Sequence, residues 1–347
     1  MNGVRVLALV KRILRQFLRD KRTLALVLVA PVLVLWLLSL VFGTAAHTPV
    51  LAVVDVPAPL VQALKDAGAD VTTMTAVEAR AALVDARVDA VIGVSGMTPV
   101  VEVEGSDPAV TGAVMKAVST ATTSMLSSQL PMPLPTPTVT FLHGSSEMRS
   151  FDNFGPVLVG FIVFFFTFIV SGMSFVRERT SGTLERMLST PLRRHELVVG
   201  YVIGFAVVVI AQATLITAVS VYGLGMMLTG SVVWLLLVVL LLALTALTLG
   251  MLLSAFANSE FQVVQLIPIV VVPQVFFSGL FPVENMSAPL RVLGSVLPLG
   301  WGSHAMREIM IRGGGFDAIA VDVAVLAGFV MVFMIGNVLA LRKYRRL

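Results

Sequence analysis

Residues 24–42 read LALVLVAPVLVLWLLSLVF, a run of apolar side chains without a charge. As an α-helix it would be about 28 Å long, close to the ~30 Å hydrocarbon core of a bilayer. A basic segment precedes it, and Thr44-Ala45-Ala46 resembles a signal-peptide cleavage site. Its length exceeds the 7 to 15 residues typical of a signal sequence. We therefore favour an uncleaved first span, over residues 23–43.

Five further apolar blocks lie at residues 155–176, 199–222, 232–254, 262–281 and 319–341. Hydrophobic residues make up 57% of the chain and charged residues only 13%, against about 25% charged in soluble domains. This composition excludes a purely soluble protein. The predicted fold class is an α-helical polytopic membrane protein with six transmembrane helices, the last five within residues 154–347.

Residues 47–150 differ in composition, with ten acidic and five basic side chains and no block long enough to span. Patterning predicts strands at 50–56, 88–94, 100–103 and 139–142, the last after the proline-rich stretch 131–137. Helices are predicted at 60–67, 77–86 and 108–128. Strands that alternate with helices indicate a small α/β domain. Because it is acidic and flanked by spans, we expect this domain to be extracytoplasmic, inserted between helices 1 and 2.

Positive charge indicates the orientation of the spans. Sixteen of the 24 Lys and Arg residues lie in residues 4–22, in the loop 177–196 and in the C-terminal tail. Six spans place these segments on one side, and cytoplasmic loops collect Lys and Arg. We therefore predict that both termini are cytoplasmic. The net charge of +4 reflects topology, and no nucleic-acid partner is expected.

Residues 1–22 form a predicted amphipathic helix. Val6, Val10, Ile13 and Phe17 share one helical face, and Arg5, Arg12 and Arg19 recur every seven residues on another. Such a helix is suited to lie in the membrane interface.

Catalytic and metal-binding patterns are missing from the sequence. It has no cysteine, its four histidines (His47, His143, His195 and His304) are far apart, and it has no phosphate-binding GxxxxGK[ST] loop. We expect no catalytic residue, no metal and no cofactor in this chain, so it should not hydrolyse ATP by itself. The apolar cores also lack the ionisable groups of ion-coupled carriers, so energy for transport would come from elsewhere.

Uncharged polar side chains do occur within the spans. Gln212, Gln265 and Gln274 could line a substrate path, or they could form hydrogen bonds between helices. The sequence leaves both interpretations open.

The loop 177–196 begins RERTSGTLERMLSTPL. The pattern predicts a short charged helix that Pro191 ends or bends. Leu184, Met187 and Leu188 form an apolar stripe on it, which is suited to dock on a partner protein. The alternative is a solvated loop whose arginines only set topology. Residues 282–315, interrupted by prolines, are too short to span and predict re-entrant or surface-lying helices.

The segment RERTSGTLERMLSTPLRRHELVVGY, residues 177–201, resembles the coupling-helix signature of ABC-2 type ATP-binding-cassette exporter permeases. Residues 18–38, LRDKRTLALVLVAPVLVLWLL, resemble the family's entry into its first span, and residues 278–313 its segment between the last two spans. RVDAVIGV at 87–94 and EGSDP at 104–108 resemble the subfamily with a large extracytoplasmic domain between spans one and two.

This resemblance implies a plasma-membrane permease that pairs with a second copy or a closely related chain. A separate ABC ATPase subunit would bind ATP and Mg²⁺, and segments 284–297 and 299–312 would be outer re-entrant helices. The family's motifs do not distinguish its substrates, which include drugs, lipids, polysaccharides and peptides. Because an apolar path without charges suits such a cargo, we expect an amphipathic or hydrophobic compound: a drug, lipid or peptide. The residues implied to couple with the ATPase are Arg177, Glu178, Arg179, Gly182, Thr183, Glu185, Arg186 and Pro191.

A function of another class remains open from the sequence. The chain could be a membrane sensor whose extracytoplasmic domain binds a ligand and signals through a cytoplasmic partner.

Overall fold

A computed structural model describes residues 2–42, 48–85, 87–95, 98–103, 108–129, 150–280 and 288–341. The chain divides into two compact units. One comprises Met1–Gly43 with His143–Leu347, and the other Thr44–Leu142.

The described residues contain thirteen α-helices and four strands. The helices are α1 (Gly3–Arg19), α2 (Lys21–Phe42), α3 (Ala58–Asp66), α4 (Ala76–Val84), α5 (Pro108–Gln129), α6 (Ser150–Thr180), α7 (Thr183–Leu188), α8 (Arg194–Ala218), α9 (Val232–Ser254), α10 (Glu260–Val275), α11 (Ala288–Ser295), α12 (Pro298–Met310) and α13 (Phe316–Ala340). The strands are β1 (Val50–Val53), β2 (Asp70–Thr73), β3 (Ala90–Ser95) and β4 (Thr98–Val103).

Six helices of the larger unit, α2, α6, α8, α9, α10 and α13, are long and apolar enough to cross a membrane. Helices α8 and α10 each continue into one wider, π-type turn, Val219–Gly223 and Phe276–Leu280. The six-span prediction is confirmed by these lengths and compositions.

Helices α6 and α9 form the centre of the larger unit. Phe164 and Phe168 on α6 are fully buried, as are Leu242, Ala243 and Ala246 on α9, and all five belong to one apolar cluster. Burial of these apolar side chains stabilises the contact between α6 and α9. In the outer helices α2, α10 and α13, only 17–22% of the span residues are buried within the single chain.

The smaller unit contains a four-stranded sheet in the order β2-β1-β3-β4. Strands β1, β2 and β3 are parallel, and β4 is antiparallel to β3. Because successive side chains point to opposite faces, Leu51 and Val53 pack with α3 and α5, and Ala52 packs with Ala79 and Ala82 of α4.

The sequence missed β2, because its residues DVTT are polar and mostly exposed. The predicted strand 139–142, the proline-rich stretch 131–137 and most of EGSDP lie outside the described residues.

Two boundaries in the larger unit differ from the sequence expectation. Helix α6 continues to Thr180, so Arg177, Glu178 and Arg179 lie on its last turn and not in a loop. Within the predicted re-entrant region 282–315 the structure has α11 and α12; residues 281–287 and the C-terminal tail 342–347 lie outside the described residues.

Candidate functional site at the bases of α1, α6 and α8

Helix α1 packs lengthwise on α8. Leu9 and Ile13 are buried there, because Gly200 and Gly204 leave no side chain in the way. A Cβ atom at Gly200 would lie 2.6 Å from Leu9 Cδ2, and one at Gly204 would lie 3.0 Å from Ile13 Cβ. Glycines four apart on one face let two helices approach this closely.

The apolar stripe of α1 is therefore covered by protein. The groove at Gly200 and Gly204 of α8 receives this stripe, and the location of α1 at the membrane interface stays a prediction. Phe17 completes the contact, with its ring in a T-shaped arrangement with that of Phe205 at a centroid separation of 5.1 Å.

A buried ion pair joins α1 to the last turn of α6. Arg12 Nη2 donates to both carboxylate oxygens of Glu178, at 2.9 and 2.8 Å. Glu178 is only 6% exposed, whereas the Arg12 side chain is 38% exposed. A buried carboxylate needs such a partner, since an unpaired charge would be costly.

Glu196 ties the start of α1 to the start of α8. Its carboxylate is buried and accepts from the backbone N–H of Asn2 at 2.7 Å and that of Arg193 at 3.1 Å. Arg5 Nη1 lies 3.8 Å from Glu196 Oε2 and donates to the carbonyl oxygen of Pro191 at 2.6 Å. We call Asn2, Arg5, Arg12, Glu178 and Glu196 the basal cluster.

The two arginines beside Glu178 contact the connection between α9 and α10, and Arg177 Nη1 also lies 4.0 Å from Asp20 Oδ2 at the end of α1. Arg177 Nε donates to Glu260 Oε1 at 3.2 Å. Arg179 donates to the carbonyl oxygen of Ala255 at 3.2 Å and to the Asn258 side chain at 3.0 Å. The base of α6 is thus tied to α1 on one side and to α10 on the other.

The short helix α7 follows after a turn at Gly182, whose φ of +69° is in the left-handed region that favours glycine. Leu184 is buried in the cluster that contains Leu9 and Leu197. The side chains of Glu185 and Arg186 are exposed. Met187 and Leu188 are half-buried against the same cluster. Helix α7 is therefore anchored by its apolar stripe and presents its charges outward.

Thr183 and Arg186 interact locally. The Thr183 hydroxyl lies 3.0 Å from Ser181 Oγ, and Arg186 donates at 3.4 Å to the carbonyl oxygens of Ser181 and Gly182. These contacts stabilise the turn at the start of α7.

A groove of about 320 Å³ separates α1 from the end of α7. It is lined by Ala8, Leu9 and Arg12 on one side and by Met187, Pro191 and Leu192 on the other. Its floor is apolar, and Arg5 and Arg12 supply positive charge.

The three candidate path glutamines occupy different environments. The Gln212 side chain is buried and accepts from the Thr167 hydroxyl at 3.1 Å, between α8 and α6. Gln274 is buried and accepts from the backbone N–H of Leu299 at 2.9 Å. Gln265 is exposed on α10. Gln212 and Gln274 therefore connect neighbouring helices.

Sequence reasoning missed the partners of the predicted residues: Asn2, Glu196, Glu260 and Asn258, and the roles of Arg5 and Arg12. The seven-residue spacing of Arg5 and Arg12 was the available signal, because it placed both on one side of α1. Within the described ranges, no three His, Asp or Glu side chains converge as a metal site would require.

Comparison with known proteins places the chain in a family. The model of the family described as "ABC-2 family transporter protein" matches residues 21–339. The chain is 27% identical over 186 residues to ABC transporter G family member 20 of Dictyostelium discoideum, covering 53% of this chain and 26% of that protein. It is 25% identical over 165 residues to the probable multidrug ABC transporter permease YbhR of Escherichia coli, covering 47% and 45%.

It is also 26% identical over 153 residues to the inner membrane transport permease YhhJ of Escherichia coli, covering 44% of this chain and 41% of that one. The matches thus span less than half the length of these relatives. Since the family match extends over nearly all of the described spans, the chain belongs to the ABC-2 family of transporter proteins.

Proposed function

We propose that this chain is the permease subunit of an ATP-driven exporter, coupled through α7 and α1 to a separate ABC ATPase that binds ATP and Mg²⁺. The observation that carries the proposal is the basal cluster. It holds α1, the base of α6 and the start of α8 together, beside an exposed helix with outward charges. Movement imposed on α7 or α1 would therefore reach two spans at once.

The groove between α1 and α7 supports docking of a partner protein. A small apolar floor flanked by charge is typical of grooves that receive an apolar side chain with an acidic neighbour. Arg177, Arg179, Glu178 and Pro191 hold the surroundings in place, while the exposed side chains of Glu185 and Arg186 are available to contact the ATPase.

A displacement of α7 would be transmitted to the spans because the base of α6 is held rigidly. The Arg12–Glu178 pair and the Arg179 hydrogen bonds fix the base of α6, and α6 is the most buried span. Packed helices move as rigid bodies and do not deform continuously. Displacement of α7 would therefore tilt α6 against α9 and open or close a path.

For the cargo, we propose an amphipathic or hydrophobic compound moved out of the cytoplasm or the inner leaflet. The relatives named multidrug permeases support this class, and Gln212, Gln265 and Gln274 stay the candidate path residues. The uncovered apolar faces of α2, α10 and α13 suit a second permease copy and lipid.

The proposed topology has both termini in the cytoplasm of a plasma-membrane protein and the unit Thr44–Leu142 outside. Basic residues concentrated near α1, α7 and the start of α8 support it.

The test is reconstitution of the chain with its ATPase subunit in vesicles, with ATP hydrolysis and export measured separately. Glu185→Arg should leave membrane insertion and ATP hydrolysis in place and reduce export at least tenfold, because docking charge is reversed. Asp317→Arg, at an exposed carboxylate on α13, is the matched control and should export normally. Wild-type export by Glu185→Arg would overturn the coupling assignment.

A sensor function is the second candidate, favoured by one observation in the smaller unit. A groove of about 830 Å³ lies between α4 and strands β3 and β4, lined by Val77, Val84, Val91 and Val100. This volume is in the range of small-molecule sites. Deletion of residues 47–150 separates the two functions: a permease keeps substrate-stimulated ATP hydrolysis, whereas a sensor loses its ligand response.

A further inference from the structure

His304 on α12 faces two carboxylates that sequence reasoning left without a role. Its Nδ1 lies 3.0 and 3.2 Å from the two carboxylate oxygens of Asp322 on α13. Its Nε2 lies 3.6 Å from Glu308 Oε1, one turn further along α12. The imidazole therefore joins α12 to α13 through Asp322, and it also lies beside Glu308 on its own helix.

Asp322 is the buried member of this group. It is 2% exposed, although it lies on a helix apolar enough to cross a membrane. The His304 side chain is 59% exposed, so the ring is not enclosed by this chain. An ionisable residue within such a helix is costly and is retained with a partner.

The other charged side chains near His304 set the net charge of the group. Glu308 is hydrogen-bonded to Arg312, and Arg307 turns away to donate to the carbonyl oxygen of Gly279 at 2.8 Å. Asp317 at the start of α13 is exposed, and α9, which packs on both helices, has no charged residue. With His304 protonated, the group His304, Asp322, Glu308 and Arg312 is neutral; with His304 neutral, it carries one uncompensated negative charge.

We infer that His304, Asp322 and Glu308 form a proton-binding site that holds α12 against α13 and loosens when the proton leaves. Protonated His304 donates through Nδ1 to Asp322 and lies as a cation beside Glu308. The neutral ring keeps one N–H and no charge, so the buried Asp322 carboxylate loses its counter-charge.

The direction of the pH dependence follows from the same geometry. The hydrogen bond with Asp322 raises the pKa of His304 above its ordinary value of 6.5, against the opposing effect of partial burial. A group with a raised pKa contributes its full stabilisation below the unfolded value and loses it as pH rises through the folded value. The contact between α12 and α13 should therefore be tightest in mild acid and weaken above neutral pH.

Amide hydrogen exchange of the full-length chain in lipid nanodiscs tests the site, with protons as the ligand. Exchange rates of α12 are measured from pH 5.5 to 8.5 and corrected for the intrinsic pH dependence of exchange. We expect protection of α12 to fall about tenfold across this range, because Asp322 then faces a neutral N–H donor in place of a cation, and a charge-assisted hydrogen bond is about twice as strong as a neutral one. Helix α9 in the same sample should show no step. A flat α12 profile in the wild-type chain would overturn the inference without any variant.

Three variants identify the groups. His304→Gln and Asp322→Asn should each abolish the pH step, because one lacks the titrating ring and the other the carboxylate. His195→Gln, at a histidine of α8, should retain it. A step that persists in either His304→Gln or Asp322→Asn refutes the site.

Discussion

Removal of the Arg12 guanidinium should measurably destabilise the larger unit. Coulomb's law at an effective dielectric of about 20 gives an attraction of about 6 kcal/mol at the 2.8 Å separation from Glu178. Desolvation of the buried carboxylate cancels several kcal/mol of this, and the partly exposed arginine lets water replace some of the rest. A net cost of about 2 kcal/mol is expected for Arg12→Met, which keeps the aliphatic stem packed.

The assay is a double-mutant cycle on thermal unfolding of the detergent-solubilised chain. Arg12→Met should lower Tm by about 4–8 °C at ~2–4 °C per kcal/mol. In a chain that carries Glu178→Gln, Arg12→Met should reduce stability less, with a coupling energy of about 1–2 kcal/mol. Arg15→Met, at an exposed arginine of the same helix, is the matched control and should cost less than about 0.5 kcal/mol. An additive cycle, or equal effects at Arg12 and Arg15, would refute the reasoning.

Two further substitutions test the helix contacts. Gly200→Val should displace α1 from α8, because its Cβ would lie 2.6 Å from Leu9. Limited proteolysis within residues 1–22 should then be faster. The control is Gly3→Ala, at a glycine with open space around it, and it should leave the rate of proteolysis unchanged. Gln274→Leu should lower the free energy of unfolding by about 1–3 kcal/mol, because it leaves the buried N–H of Leu299 unpaired. Thermal unfolding midpoints measure this, with Gln265→Leu on the exposed face of α10 as the control. An equal Tm for both variants would show that the hydrogen bond contributes nothing.

Much of the fold was predictable from local sequence. A span is recognised because some twenty consecutive apolar residues match the bilayer thickness, and all six were found to within a few residues. Helix ends predicted from the position of charged residues were less accurate. The residues RERT at 177–180 were expected in a loop, but they continue α6, because charged residues can stay helical when their side chains form ion pairs or hydrogen bonds. The strand Asp70–Thr73 was missed because an exposed edge strand needs no apolar pattern.

The candidate site was only half predictable. The segment 177–191 carried the family signature, but nothing in it identified Arg12 as the partner of Glu178. Those residues are 166 positions apart, and pairing at such separation depends on how helices pack.

The sequence by itself determined the number of spans, the family and the segment that could meet a partner, since run length, charge bias and motif are local properties. Only the tertiary structure decided that the apolar face of α1 packs on Gly200 and Gly204, that Arg12 neutralises Glu178, and that His304 meets Asp322. A helical face presents the same pattern to lipid and to protein, so which surface covers it is decided by the shape of the neighbouring helix. A charge near a span end likewise acquires its partner only when distant segments pack together.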